Sequence, residues 1–165
     1  MPKEEISKTK LSWGHININV SNLDSSIEFY EKLGFEVYNP SIPYIGLTVE
    51  PKSNSMDEGS RTALGLPEQT SGRACIMQLD KYYPKLDLTQ FDDMTQSIPL
   101  SNADLGLVRI CLASVNLKAD YNNLKKIGVE FISPPQTAKD GRAEIAICSD
   151  PDGTLIELIQ VHLEK

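Results

Sequence analysis

Histidine is scarce in this chain of 165 residues: only His15 and His162 occur, so no single copy can build a site from several imidazoles. Cysteine is nearly as thin. Cys75, Cys111 and Cys148 are odd in number, lack CxxC spacing and each sit inside an apolar stretch, which excludes a complete disulfide framework and points to buried, reduced thiols. Basic residues are outnumbered, 16 Lys plus Arg against 23 Asp plus Glu, a net charge of −7 that repels a phosphate backbone or an anionic membrane. No apolar run approaches the ~18 residues of a membrane span, and the opening MPKEEISKTK has no apolar centre for a signal peptide. Neither a phosphate-cradling glycine loop nor a serine-hydrolase motif is found. The expectation is a soluble cytoplasmic protein with no nucleic-acid or membrane partner, whose chemistry rests on carboxylates, arginines and one useful histidine.

What is present is periodic. WGHININV at 13–20 alternates, with Ile16, Ile18 and Val20 on one face and His15, Asn17 and Asn19 on the other, which predicts a half-buried strand. Ser21, Asn22 or Asp24 can cap a helix running to about Leu33, with Gly34 as its stop. FEVY reads as a returning strand. Residues 40–72 are rich in proline, glycine and polar side chains and form a long excursion with one helical turn near 55–65. Strands follow at about 73–79 and 85–91.

The same order then recurs. Past a polar connector, a strand at 107–113 leads to a helix at about 117–127, a stop at Gly128, a strand VEFI, and strands at about 143–148 and 154–161. At an offset of 94, His15 falls on Arg109, Leu23 on Leu117, Gly34 on Gly128 and Glu36 on Glu130; LDLTQ at 86–90 matches IELIQ at 156–160 at an offset of 70. The first copy therefore carries 94 less 70, or 24, extra residues, which the excursion accommodates. The predicted organisation is an N-terminal tail at 1–11, a first βαβββ module at 12–91 with the insertion at 40–72, a connector at 92–106 and a second βαβββ module at 107–162.

WGHININV with SSIEFYEKLGFEV, then LKKIGVEF with SDPDGTLIELIQ, resembles the vicinal oxygen chelate superfamily, which includes glyoxalase I, methylmalonyl-CoA epimerase, extradiol dioxygenases and bleomycin-resistance proteins. The resemblance implies an α+β fold of two fused βαβββ modules forming a curved, cup-shaped sheet, and commonly a homodimer. It also implies a metal site with one ligand from the first and one from the last strand of each module. Carried over, these positions are His15, Asp87, Arg109 and Glu157. The first, second and fourth could hold a divalent ion (Mn, Ni, Co, Zn or Fe). Arg109 has no lone pair to offer and instead can fork onto Glu157 or Asp87, which favours a metal-free arrangement. Asp87 is also one methylene shorter than the usual Glu.

Asn17, Thr89 and Cys111 share the pocket-facing parity and are expected to line the cup. Arg61 and Arg73 could clamp an anion, and Tyr82–Tyr83 could be surface packing or a lid. Two functions compete. One is a lyase or isomerase acting on a small oxygenated carbonyl compound by enolate-type proton transfer, with Glu157 or Asp87 as base and Arg109 as oxyanion partner. The other is a small-molecule binding or sequestration protein of the bleomycin-resistance type.

Overall fold

The computed structural model describes residues 9–95 and 97–162; most of the expected N-terminal tail lies outside them. Strand β1 (His15–Asn19) is followed by α1 (Leu23–Lys32), whose cap is Asn22: its side chain accepts from the Ser25 N–H at 3.0 Å. Next come β2 (Glu36–Asn39), β3 (Ser41–Ile42), a 3₁₀ turn (Pro43–Ile45), β4 (Leu47–Thr48), β5 (Asn54–Ser55), α2 (Glu58–Leu64), β6 (Ser71–Gln78) and β7 (Lys85–Phe91). The second half runs β8 (Arg109–Ala113), α3 (Leu117–Lys126), β9 (Gln136–Thr137), β10 (Ala143–Ser149) and β11 (Leu155–Val161). No helix among the described residues is long and apolar enough to cross a membrane.

The strands form two main sheets and a ribbon. One sheet has the order β1-β7-β6-β2, with β5 beside β6; the other is β8-β11-β10-β9; β3 and β4 pair by themselves. Both sheets are open, and in each the first strand lies parallel to the last strand of its own half. The repeat extends to single hydrogen bonds. Gln90 Oε1 accepts from the Leu23 N–H at 2.7 Å, and Gln160 Oε1 from the Leu117 N–H at 2.8 Å, the same clasp of helix start to last strand in each half. Asn116 caps α3 as Asn22 caps α1.

The expected VEFI strand does not form as a ladder. Phe131 makes an isolated bridge to Cys148, and pairing resumes only at Gln136–Thr137. Pro134 and Pro135 lie between and have no N–H to donate, so a ladder cannot run through them.

One core serves both halves. Leu23, Phe29 and Tyr30 of α1, Leu88 of β7, Leu117 and Leu124 of α3 and Ile156 of β11 are buried in a single cluster. Across it the Tyr30 hydroxyl donates to Asp150 at 3.0 Å; burial pushes both groups above their ordinary pKa values. A smaller cluster (Ile42, Ile45, Leu47, Met56, Ala74) holds the excursion down on β6.

Candidate functional site

The faces of β1 and β7 opposite the core carry the candidate residues, because alternation sends Ile16, Ile18, Leu86 and Leu88 inward and their neighbours outward. In the parallel register Asn17 lies beside Asp87 and Asn19 beside Thr89. Asp87 is buried, with 2 % of its surface exposed, although it is a carboxylate. Its partners arrive from two directions. His15 Nε2 is 3.5 Å from Oδ2, and the Tyr44 hydroxyl donates a hydrogen bond to the same oxygen.

Tyr44 belongs to the 3₁₀ turn of the excursion, and its ring stacks on His15 with centroids 5.7 Å apart. Its oxygen is 3.4 Å and 3.5 Å from the two imidazole nitrogens. Burial raises the Asp87 pKa, while the Tyr44 hydrogen bond and His15 oppose the rise. Burial, then Asp87 itself, pushes the Tyr44 phenol up, so it stays a proton donor.

A cavity of about 430 Å³ opens over this group. Its polar floor includes His15, Asn17, Asp87 and Thr89; its roof, built by the excursion, includes Tyr44, Ile45, Leu64 and Leu66, with Phe91 at one end. Thr89 Oγ1 donates to Asn17 Oδ1 at 2.9 Å, which fixes the floor. Sequence reading places Asn17 and Thr89 on this face but does not find Tyr44: nothing in the local pattern of the excursion indicates which of its side chains returns over β1.

The second sheet carries a separate pair. Arg109 Nε donates to Glu157 Oε2, and Nη1 donates to Asn102 at 3.1 Å. Cys111 lies beside Glu157 in the β8–β11 register and is exposed, which corrects the expectation that all three thiols are buried; Cys75 and Cys148 are, and their pKa values are pushed up to about 12 and about 11 by desolvation. Neither Arg109, Glu157 nor Cys111 lines the His15–Asp87 cavity.

The expected ligand set of His15, Asp87 and Glu157 is thus not assembled within one copy. Among the described residues no group of three or more His, Cys, Asp or Glu side chains could hold a metal ion. The reason is topological: among the described residues β1 pairs with β7 and β8 with β11, so each candidate pair lies on its own sheet. A phenol also hydrogen-bonds the carboxylate that would bind the ion, and a guanidinium engages the other. The donor set of a single chain does not fit the metal implied by the resemblance.

The remaining basic candidates are committed elsewhere. Arg73, 4 % exposed, makes a fork with Asp24 at 2.9 and 3.0 Å and donates to the Val49 carbonyl at 3.0 Å. It fastens the excursion to α1 rather than clamping a ligand. Arg61 closes the turn at Pro67 and Glu68. Lys85, also buried, donates to Gln78 at 2.8 Å, and its ammonium sits 5.0 Å and 4.8 Å from the ring centres of Tyr38 and Tyr83. Tyr83 thus packs on a lysine, while Tyr82 is exposed.

Similarity to known proteins agrees with this architecture. A lactoylglutathione lyase of Pseudomonas aeruginosa is 25 % identical over 162 residues, 92 % of this chain and 83 % of that one. A glyoxalase family protein from Bacillus cereus superposes with a TM-score of 0.74 at 17 % identity, covering 94 % of this chain and 97 % of the other. A member of the glyoxalase, bleomycin-resistance and dioxygenase superfamily from Sphaerobacter thermophilus gives 0.60 at 19 % identity, covering 91 % and 98 %. At such identities the structures share the fold alone. The family model matches residues 12–158, from just before β1 into β11, and on that match the chain belongs to the Glyoxalase/Bleomycin resistance protein/Dioxygenase superfamily.

Proposed function

We propose that the protein is a glyoxalase-like lyase or isomerase that binds a small oxygenated carbonyl compound beneath the excursion and moves a proton on it through Asp87. The observation that carries this reading is a buried carboxylate, raised in pKa by its burial, in a cavity beside a phenol that remains a donor. Asp87 takes a proton from the carbon next to the carbonyl; the C–H electron pair forms the enolate, whose oxygen carries the negative charge. The Tyr44 O–H turns from Asp87 to that oxygen, and His15 steadies the phenol by stacking. Asp87 then returns the proton to the same or the neighbouring carbon. Glu157, on the other sheet and engaged by Arg109, is a less apt base than the sequence alone suggests.

Deuterium exchange on a panel of 2-oxoaldehyde–thiol adducts, acyl-CoA epimers and β-keto acids tests the step. Wild-type protein should exchange the acidic C–H of at least one, and Asp87→Asn should slow it by roughly 10²–10⁴-fold. Undiminished exchange in Asp87→Asn would overturn the assignment. A sequestering protein is the second reading, favoured by the separation of the Arg109–Glu157 pair from the cavity; it requires saturable binding with no exchange.

A further inference from the structure

The charge of the cavity narrows the substrate. Among the described residues of one copy, none that lines it is Lys or Arg, and the one acid is Asp87. Four basic side chains of the described residues are held by other partners: Arg73 on Asp24, Arg61 on two carbonyls, Lys85 on Gln78 beside two tyrosine rings, and Arg109 on Glu157 on the second sheet. The wall opposite the acid is apolar, formed by Ile45, Ala63, Leu64, Leu66 and Phe91. A net charge of −7 adds a field of the same sign. A ligand carboxylate placed here would lose water, meet no lysine or arginine among the described lining, and face Asp87, which already holds His15 at 3.5 Å.

Resting on the proton-transfer reading above, we infer that this cavity takes an uncharged carbonyl compound with a compact apolar substituent, and not an anionic conjugate of a thiol peptide such as glutathione. The apolar substituent lies against Leu64, Leu66 and Phe91, and the carbonyl oxygen meets Tyr44. Discrimination is electrostatic: the reacting atoms of the two ligand classes can be identical, and the charged tail alone is refused.

A matched pair of stable probes tests this. 2-(Phenacylthio)ethanol and S-phenacylglutathione present the same aryl ketone and the same acidic CH₂, and differ in the charge and size of the thiol portion. Binding by calorimetry should favour the uncharged thioether at least ten-fold. Leu64→Lys, which sets an ammonium on the exposed side of the apolar wall, should narrow that ratio at low salt and restore it at high salt, a response that size alone would not give. Exchange of the CH₂ in deuterated water is read separately. A preference for the uncharged probe without exchange supports the charge selectivity and sinks the proton transfer. Tighter binding of the glutathione probe, no binding of either, or a preference that ignores both Leu64→Lys and salt overturns the inference itself.

Discussion

Three side chains, His15, Tyr44 and Asp87, carry the proposed chemistry, and each can be tested by how its removal moves the others. The Tyr44 hydrogen bond lowers the Asp87 pKa against a larger upward push from burial. Tyr44→Phe should therefore slow exchange by roughly 10²-fold, as expected for loss of one donor to a developing oxyanion, and should also move the acid limb of its pH profile to higher pH. A variant that merely loosened the fold would not shift that limb. Asp87 also sets activity against stability. Its folded pKa is raised, so the native state binds the proton more tightly than the unfolded chain does, and stability falls as pH rises from the ordinary Asp value through the folded one. Asp87→Asn should accordingly raise the melting temperature at pH 7 by roughly 2–4 °C, what ~1 kcal/mol produces in a chain of this size, and leave it unchanged near pH 3. Thermal scans at both values check the sign.

At the scale of elements, the excursion is the part of the site that sequence reading placed only in outline. Strands β1, β7, β8 and β11 and both long helices announce themselves through alternation, Asn caps and glycine stops, since those signals are local. The roof over Asp87 depends on long-range packing instead: Ile42, Ile45 and Leu47 against Ala74, and Arg73 reaching back to Val49. Arg73 and Asp24 form an unequal pair, with side chains 5 % and 62 % exposed. Asp24→Ala strands a buried guanidinium with Glu50, 3.9 Å away, as its remaining acidic partner among the described residues, and should cost about 2–3 kcal/mol, somewhat below the usual loss for a broken buried pair. Arg73→Met leaves only a solvated carboxylate behind and should cost less, about 1–2 kcal/mol. Urea unfolding of both variants measures the asymmetry. Arg73 holds the Asp24 carboxyl below its ordinary pKa, so this stabilisation is present above that ordinary value and is lost as pH falls through the lowered one. Gly72 is a further fixed point: a Cβ there would stand 2.2 Å from the Gln90 carbonyl, so the strand that carries the roof can approach β7 only with glycine at this position.

For the whole molecule, the duplication was legible as an offset of 94 at the front of each half and 70 at the back, because strand and helix periods survive when identities do not. How the halves sit was not legible: four positions that align as one site divide into His15–Asp87 and Arg109–Glu157 on separate sheets. The outer face of the second sheet also leaves Ile145 and Val161 exposed, 38 % and 54 %, with no excursion above them. We propose that a second copy covers such surface, so sedimentation should report twice the monomer mass, and Ile145→Glu with Val161→Glu should return a monomer. The unequal roofing of two once-equivalent faces has a consequence for descent. A duplicated module begins with interchangeable cups, but an insertion over one of them ties β1, the 3₁₀ turn and β7 into a single unit of inheritance. In lineages that keep the insertion, positions 15, 44 and 87 should vary together or not at all. Positions 109 and 157, joined to each other and to Asn102 but not to the insertion, should vary independently of that unit.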